Sequence, residues 1–209
     1  MKPRYPSISA ENPAELRAEL AGIDIRVVRR PTRRTHASRE RYSAARMLAT
    51  LSASSQLAFP LTVEFRDGPD VALHMPTGSV GMECVDAIAE DWANIPDLRA
   101  REYPQAMIFL PRLRPGVQSL SPEDVRAYAS GAKAGPPWEG DSVERDWANA
   151  ISHFADKKLE KLRAGAYSDF SENWLLVHDE WAMRPVRAKE QALAVSLLAA
   201  SSEPLFLGK

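Results

Sequence analysis

Two carboxylates on one short hairpin are the residues of this chain best suited to chemistry. The runs Asp70-Val71-Ala72-Leu73-His74-Met75 and Val80-Gly81-Met82-Glu83-Cys84-Val85 flank Pro76-Thr77-Gly78-Ser79. Taking Thr77-Gly78 as a two-residue turn sets Val71 opposite Cys84, Leu73 opposite Met82 and Met75 opposite Val80, an apolar face throughout. The other face then carries Asp70, Ala72 and His74 against Val85, Glu83 and Gly81. In that register Asp70 and Glu83 are diagonal neighbours, on the order of 7–8 Å apart at the backbone. Two carboxylates at that reach can share a hard divalent cation such as Mg²⁺, which takes oxygen ligands and keeps several waters. The cation would polarise a phosphoryl oxygen and lower the pKa of a bound water. The competing reading is a pair of acids on a solvated face. Against it, Glu83 sits among Val80, Gly81, Met82, Cys84 and Val85, and a carboxylate buried in such company needs a partner or a metal.

Gly68-Pro69-Asp70-Val71 followed by Val80-Gly81-Met82-Glu83-Cys84-Val85 resembles the core of the PD-(D/E)xK nuclease superfamily, the restriction-endonuclease-like fold. More narrowly, it is similar to bacterial families of that fold in which a Gly-Pro-Asp turn precedes a strand of the form Gly-x-Glu-x-Val/Thr. The resemblance covers roughly residues 38–180. It implies a mixed β-sheet flanked by helices, Mg²⁺ or Mn²⁺ as cofactor, hydrolysis of phosphodiester bonds, nucleic acid as partner and room for a homodimer. Asp70 and Glu83 would be the metal-binding pair, and Glu40 matches the glutamate often found on the first helix. The third motif position, usually a lysine two residues after the glutamate, is Val85. Either the lysine has moved in sequence while its amine stays in the site, or catalysis is lost. The second case is a restriction-endonuclease-like module that binds nucleic acid or protein; a third is an unrelated α/β interaction domain.

A migrated lysine has candidates on the helix that begins near Val143. Its apolar stripe is Trp147, Ile151, Phe154, Ala155, Leu159 and Leu162. Lys158 stands four residues after Phe154 and four before Leu162, on the inward flank. Lys157 and Lys161 lie further toward solvent, where lysine usually belongs.

Phosphate affinity has its own signal. Eight arginines (26, 29, 30, 33, 34, 39, 41 and 46) stand between residues 26 and 46 against one acid, Glu40. Guanidinium forks match phosphate oxygens, and Arg33, Arg34 and Arg39 are the candidate contacts. A solvated surface segment is the plainer alternative. His74 shares the face of the two acids, His178 ends a strand, and Asp86 would be an outer partner of a metal. Trp138 and Trp181 lie beside loops, where tryptophan either stacks on bases or covers a core edge. Cys84 faces the core by alternation and reads as a small hydrophobe. Ser38, Ser79 and Ser121 show no nucleophile-elbow context, and the glycines form no phosphate loop.

The elements that must hold these side chains follow from periodicity. Residues 1–12 read as a loose arm, with a short helix from Pro13 to Leu20 and a strand or extended lead from Ile23 to Val28. Ser38 caps a helix running to about Ser52, Leu61–Phe65 alternates as a strand, and Ile88–Arg101 is a helix broken at Pro96. Ala106–Leu110 reads as a buried strand, and Ser121-Pro122-Glu123-Asp124 opens a helix. Gly131–Gly140 is a loop before the helix from Val143 to Arg163. Asn173–His178 is a buried-type strand, Lys189–Ala200 a helix, and Leu205–Leu207 a last edge strand. That order predicts one α/β domain over 36–209, preceded by an arm with the basic segment over 1–35.

The bulk numbers agree. With 209 residues, 44% hydrophobic and 26% charged, the chain is neither disordered nor large enough for two full-sized domains. A net charge of −1 advertises no global attraction to nucleic acid or membrane. One cysteine excludes an intramolecular disulfide. No apolar run approaches the roughly 20 residues that span a bilayer, and no apolar stretch follows the basic start Met1–Pro6. A cytoplasmic protein without a signal peptide is the expectation.

Overall fold

A computed structural model of the chain describes residues 7–23, 36–88, 90–113, 115–116, 119–165, 170–179 and 206–208. The extended lead at Ile23–Val28 beyond its first residue, the helix at Lys189–Ala200, Arg33, Arg34 and Trp181 lie outside the described residues. The elements in order are β1 (Ser7–Ala10), α1 (Pro13–Gly22), α2 (His36–Ala53), β2 (Leu61–Phe65), β3 (Val71–Met75) and β4 (Gly78–Ala87). Then come α3 (Glu90–Glu102), α4 (Pro122–Ala129), α5 (Ser142–Arg163), β5 (Glu172–Asp179) and β6 (Phe206–Gly208). One sheet holds the strands in the order β1-β2-β3-β4-β5-β6. The pairs from β1 through β4 are antiparallel, whereas β5 and β6 are parallel. The chain is therefore α/β with a mixed sheet, as its order of elements predicts. No helix among the described residues is long and apolar enough to cross a membrane.

The chain gathers into two compact units. One comprises residues 1–85, 157–178 and 204–209; the other comprises 86–156 and 179–203. In the first, strand alternation sends Ile8, Val63, Leu73, Met82 and Leu176 to one face, where Leu16 and Leu20 of α1 and Leu48 and Leu51 of α2 cover them. Asn12 caps α1 by accepting at Oδ1 from the backbone N–H of Ala14 and of Glu15, each at 3.0 Å, and Pro13 supplies the first turn. The arm expected over residues 1–12 is thus ordered from Ser7: β1 pairs with β2, Ile8 opposite Val63. Its period-two pattern, with Ile8 and Ala10 buried, is too short to be recognised alone.

The second unit differs from expectation in two places. Helix α3 runs through Pro96 instead of breaking there. Proline removes one backbone hydrogen bond, but Ile95 and Leu98 pack with Tyr128 and Ala129 of α4, and that burial holds the helix together. Residues 106–110 form no strand. Ile108 and Leu110 pack on the α3–α4 core while Met107 and Phe109 are 77% and 60% exposed. Their apolar run is one half-buried extended segment, held beside the following loop by the Gly135 N–H donating to the Phe109 carbonyl at 2.9 Å. Ser121 caps α4 as its sequence predicts, accepting from the Asp124 N–H at 3.0 Å.

Candidate functional site

Asp70 owes its position to the turn before β3. The Arg66 N–H donates to the Asp70 carbonyl at 2.9 Å, closing the loop through Asp67, Gly68 and the buried Pro69. Gly68 has φ +56°, a conformation that side chains with a Cβ adopt reluctantly. The turn delivers Asp70 to the mouth of β3, next to β4.

The hairpin register differs from the expected one by two residues. Val71 faces Met82, Leu73 faces Val80 and Met75 faces Gly78, so Pro76-Thr77 is the turn, not Thr77-Gly78. The preset φ of proline suits the first central turn position. Gly78, with φ +139°, belongs to the strand: a Cβ there would stand 2.9 Å from Ser171 Oγ, the same hydroxyl that accepts from the Ser79 N–H at 3.2 Å. A slip of two keeps every side chain on its expected face. It also moves Glu83 level with Asp70, one step beyond the Val71–Met82 pair, so the two acids are cross-strand neighbours instead of diagonal ones.

Their environments are unequal. Asp70 Oδ2 accepts a hydrogen bond from the Cys84 N–H at 2.7 Å. Burial pushes its pKa up to about 6; the Cys84 N–H opposes that, the charges of Glu83 and Glu40 add to it, and Lys158 opposes it again. Glu83 is 9% exposed. Its Oε1 accepts from Lys158 Nζ at 2.5 Å. Its Oε2 is buried without a hydrogen-bond partner among the described residues, an unusual state for a carboxylate oxygen.

Lys158 lies on the part of α5 that belongs to the first unit, and its side chain is 20% exposed. Lys157 and Lys161 are exposed, so the helical spacing sorted the three lysines as predicted. Val85, at the position usual for the motif lysine, is half-buried on β4 two residues beyond Glu83, and the ammonium beside Glu83 comes from the helix. Glu40 stands on α2 within electrostatic reach of Asp70. Arg39, its neighbour, is half-buried in the first turns of the same helix.

The other candidates have contacts of their own. His74 is exposed, with Nε2 3.8 Å from Glu64 Oε2. His178 meets the Tyr42 ring edge-on at a centroid distance of 6.3 Å. Trp138 carries the Arg112 guanidinium 5.1 Å from its ring centre, and Arg112 in turn pairs with the buried Asp146 at 2.8 Å. Asp86 is half-buried at the end of β4. Among the described residues no group of three or more His, Cys, Asp or Glu side chains gathers closely enough to hold a metal ion. The cation reading therefore rests on Asp70 and Glu83, with Glu40 near but outside such a group.

Two contributors to the site carried no sequence signal. One is the Cys84 backbone N–H, invisible in a side-chain pattern. The other is Phe170, whose ring lies 2.8 Å from where a Gly81 Cβ would stand, on the Glu83 face. The arrangement offers a buried carboxylate held at one oxygen by an ammonium, a second carboxylate with a raised pKa, and one oxygen without a donor among the described residues. No family model, curated protein or solved structure matches the chain.

Proposed function

We propose that this chain is a divergent PD-(D/E)xK-type phosphodiesterase that hydrolyses nucleic acid with Mg²⁺ or Mn²⁺ at Asp70 and Glu83. The observation that carries the reading is Glu83 Oε2, a buried carboxylate oxygen without a hydrogen-bond donor among the described residues, level with the desolvated carboxylate of Asp70. Such an oxygen suits a hard cation, whose ligands are carboxylates and water. The order α2, β2-β3-β4, α5, β5 also matches the helix, hairpin, lysine-bearing helix and strand that the resemblance implies.

In this reading Asp70 and Glu83 would hold the metal and Glu40 would add negative charge behind Asp70. The metal supplies polarisation of the phosphoryl oxygen and a water of lowered pKa. Lys158 orients Glu83 through Oε1. Through that contact it would bring the positive charge that Val85 does not. Arg39, together with Arg33 and Arg34, would contact the phosphate backbone as a sequence-independent hold.

The second reading is a module of the same fold that binds nucleic acid or protein without cutting. The Lys158–Glu83 pair favours it, because an ammonium already neutralises the acid. Cleavage of supercoiled, linear and single-stranded substrates with Mn²⁺ or Mg²⁺, comparing wild type with Asp70→Ala, separates the two. Metal-dependent cutting that disappears in the variant supports the enzyme. Binding without cutting by either protein supports the module.

A further inference from the structure

We infer that Lys158 is a resident counter-ion that stabilises the acid pair without metal and weakens its affinity for a divalent cation; the inference rests on the metal-site reading above. A charged carboxylate with 9% exposure, next to the half-buried carboxylate of Asp70, is costly to keep in the absence of a cation. The Lys158 ammonium, 2.5 Å from Oε1, lowers that cost. Its contact is confined to one oxygen of Glu83. The other, Oε2, has no donor among the described residues, so the ammonium and an incoming cation do not compete for the same atom.

They do repel each other. A divalent ion held by Glu83 would share that one carboxylate with the ammonium, and both partners of the ion pair are largely shielded from water. Lys158 therefore makes the metal-free site stable and its cation weakly held. It is a positioning residue, acting through Glu83. Glutamine at 158 keeps a donor for Oε1 while removing the charge, and arginine keeps both, so charge and positioning separate.

The test is direct binding of Mn²⁺ to the full chain, read from the free-ion electron paramagnetic resonance signal in wild type, Lys158→Met, Lys158→Gln and Lys158→Arg. Asp70→Ala/Glu83→Ala supplies the background. Lys158→Met and Lys158→Gln are expected to bind Mn²⁺ about tenfold tighter than wild type or better, with Lys158→Arg staying close to wild type. Should the methionine variant fail to fold, the glutamine variant carries the comparison. Binding by Lys158→Gln with none by wild type is the same result in its strongest form. Unchanged or weaker affinity in the uncharged variants overturns the inference and leaves the metal site standing. No binding above background in wild type or any variant overturns the metal site, and the inference with it.

Discussion

Asp70 Oδ2 accepts the Cys84 backbone N–H at 2.7 Å, which ties the entrance of β3 to the residue after Glu83. That bond holds one carboxylate in place while the Lys158 ion pair holds the other, so the two acids are fixed by unrelated contacts. Changes at one leave the other's anchor intact, and the effects can be measured separately.

Asp70→Asn should stabilise the metal-free chain at neutral pH and leave it unchanged in acid. The folded-state pKa is raised by burial to about 6 from an ordinary value of 3.8. A raised carboxyl pKa means a contribution fully present below the unfolded value and lost as pH rises through the folded one. Asparagine copies the protonated form and keeps an oxygen for the Cys84 N–H. The gain is about 1–2 kcal/mol above pH 7, allowing for the water that still reaches the carboxylate. It should vanish near pH 4. Urea denaturation at the two pH values, with chelator present, decides it.

Lys158→Met should cost about 3 kcal/mol in the absence of metal, because it strands Glu83 as a buried charge. Glu83→Gln in the same chain should restore much of that loss, since the stranded charge is gone. The double-mutant cycle in chemical denaturation measures the coupling. Additive losses would mean that the ion pair stabilises nothing.

The register of this hairpin shows how far the sequence could be read. Apolar alternation put Asp70 and Glu83 on one face, and helical spacing singled out Lys158 from its neighbours; both depend only on periodicity, and both agree with the structure. The position of the turn is not legible there, because a slip of two residues leaves every face assignment unchanged and the pattern contains nothing to separate the two registers. What separates them is the approach of Ser171 to Gly78, a contact across 93 positions of sequence. The helix through Pro96 and the exposure of Met107 and Phe109 are illegible in the sequence for a related reason. Tertiary packing by α4 decided both, and local propensity does not contain it.

Gly81→Val should destabilise the chain by about 1–3 kcal/mol, the usual cost of forcing extra atoms into a packed site. The Phe170 ring and Pro69 Cγ lie 2.8 Å and 3.0 Å from the Cβ position, and the backbone on either side is paired in β4. Phe170→Ala should relieve most of the penalty when combined with it. Thermal unfolding of the two single variants and the double variant gives the answer; an unrelieved penalty would place the strain in the strand itself.

Glu40 can be tested without any assumption about activity. Its charge raises the Asp70 pKa and that of Lys158 lowers it, so substitutions at the two positions must move the same titration in opposite directions. Glu40→Gln should bring the Asp70 midpoint below about 6, and Lys158→Gln should carry it above. Neither substitution touches the Cys84 hydrogen bond, so the shifts report charge alone. The Asp70 carboxyl ¹³C resonance, followed by NMR from pH 3 to 9 in chelator, reads the midpoint in each variant. Movement in the predicted directions makes Glu40 an electrostatic member of the acid site despite its place on a different element. A midpoint insensitive to Glu40→Gln would remove that residue from the site and leave Asp70 and Glu83 as its acidic members.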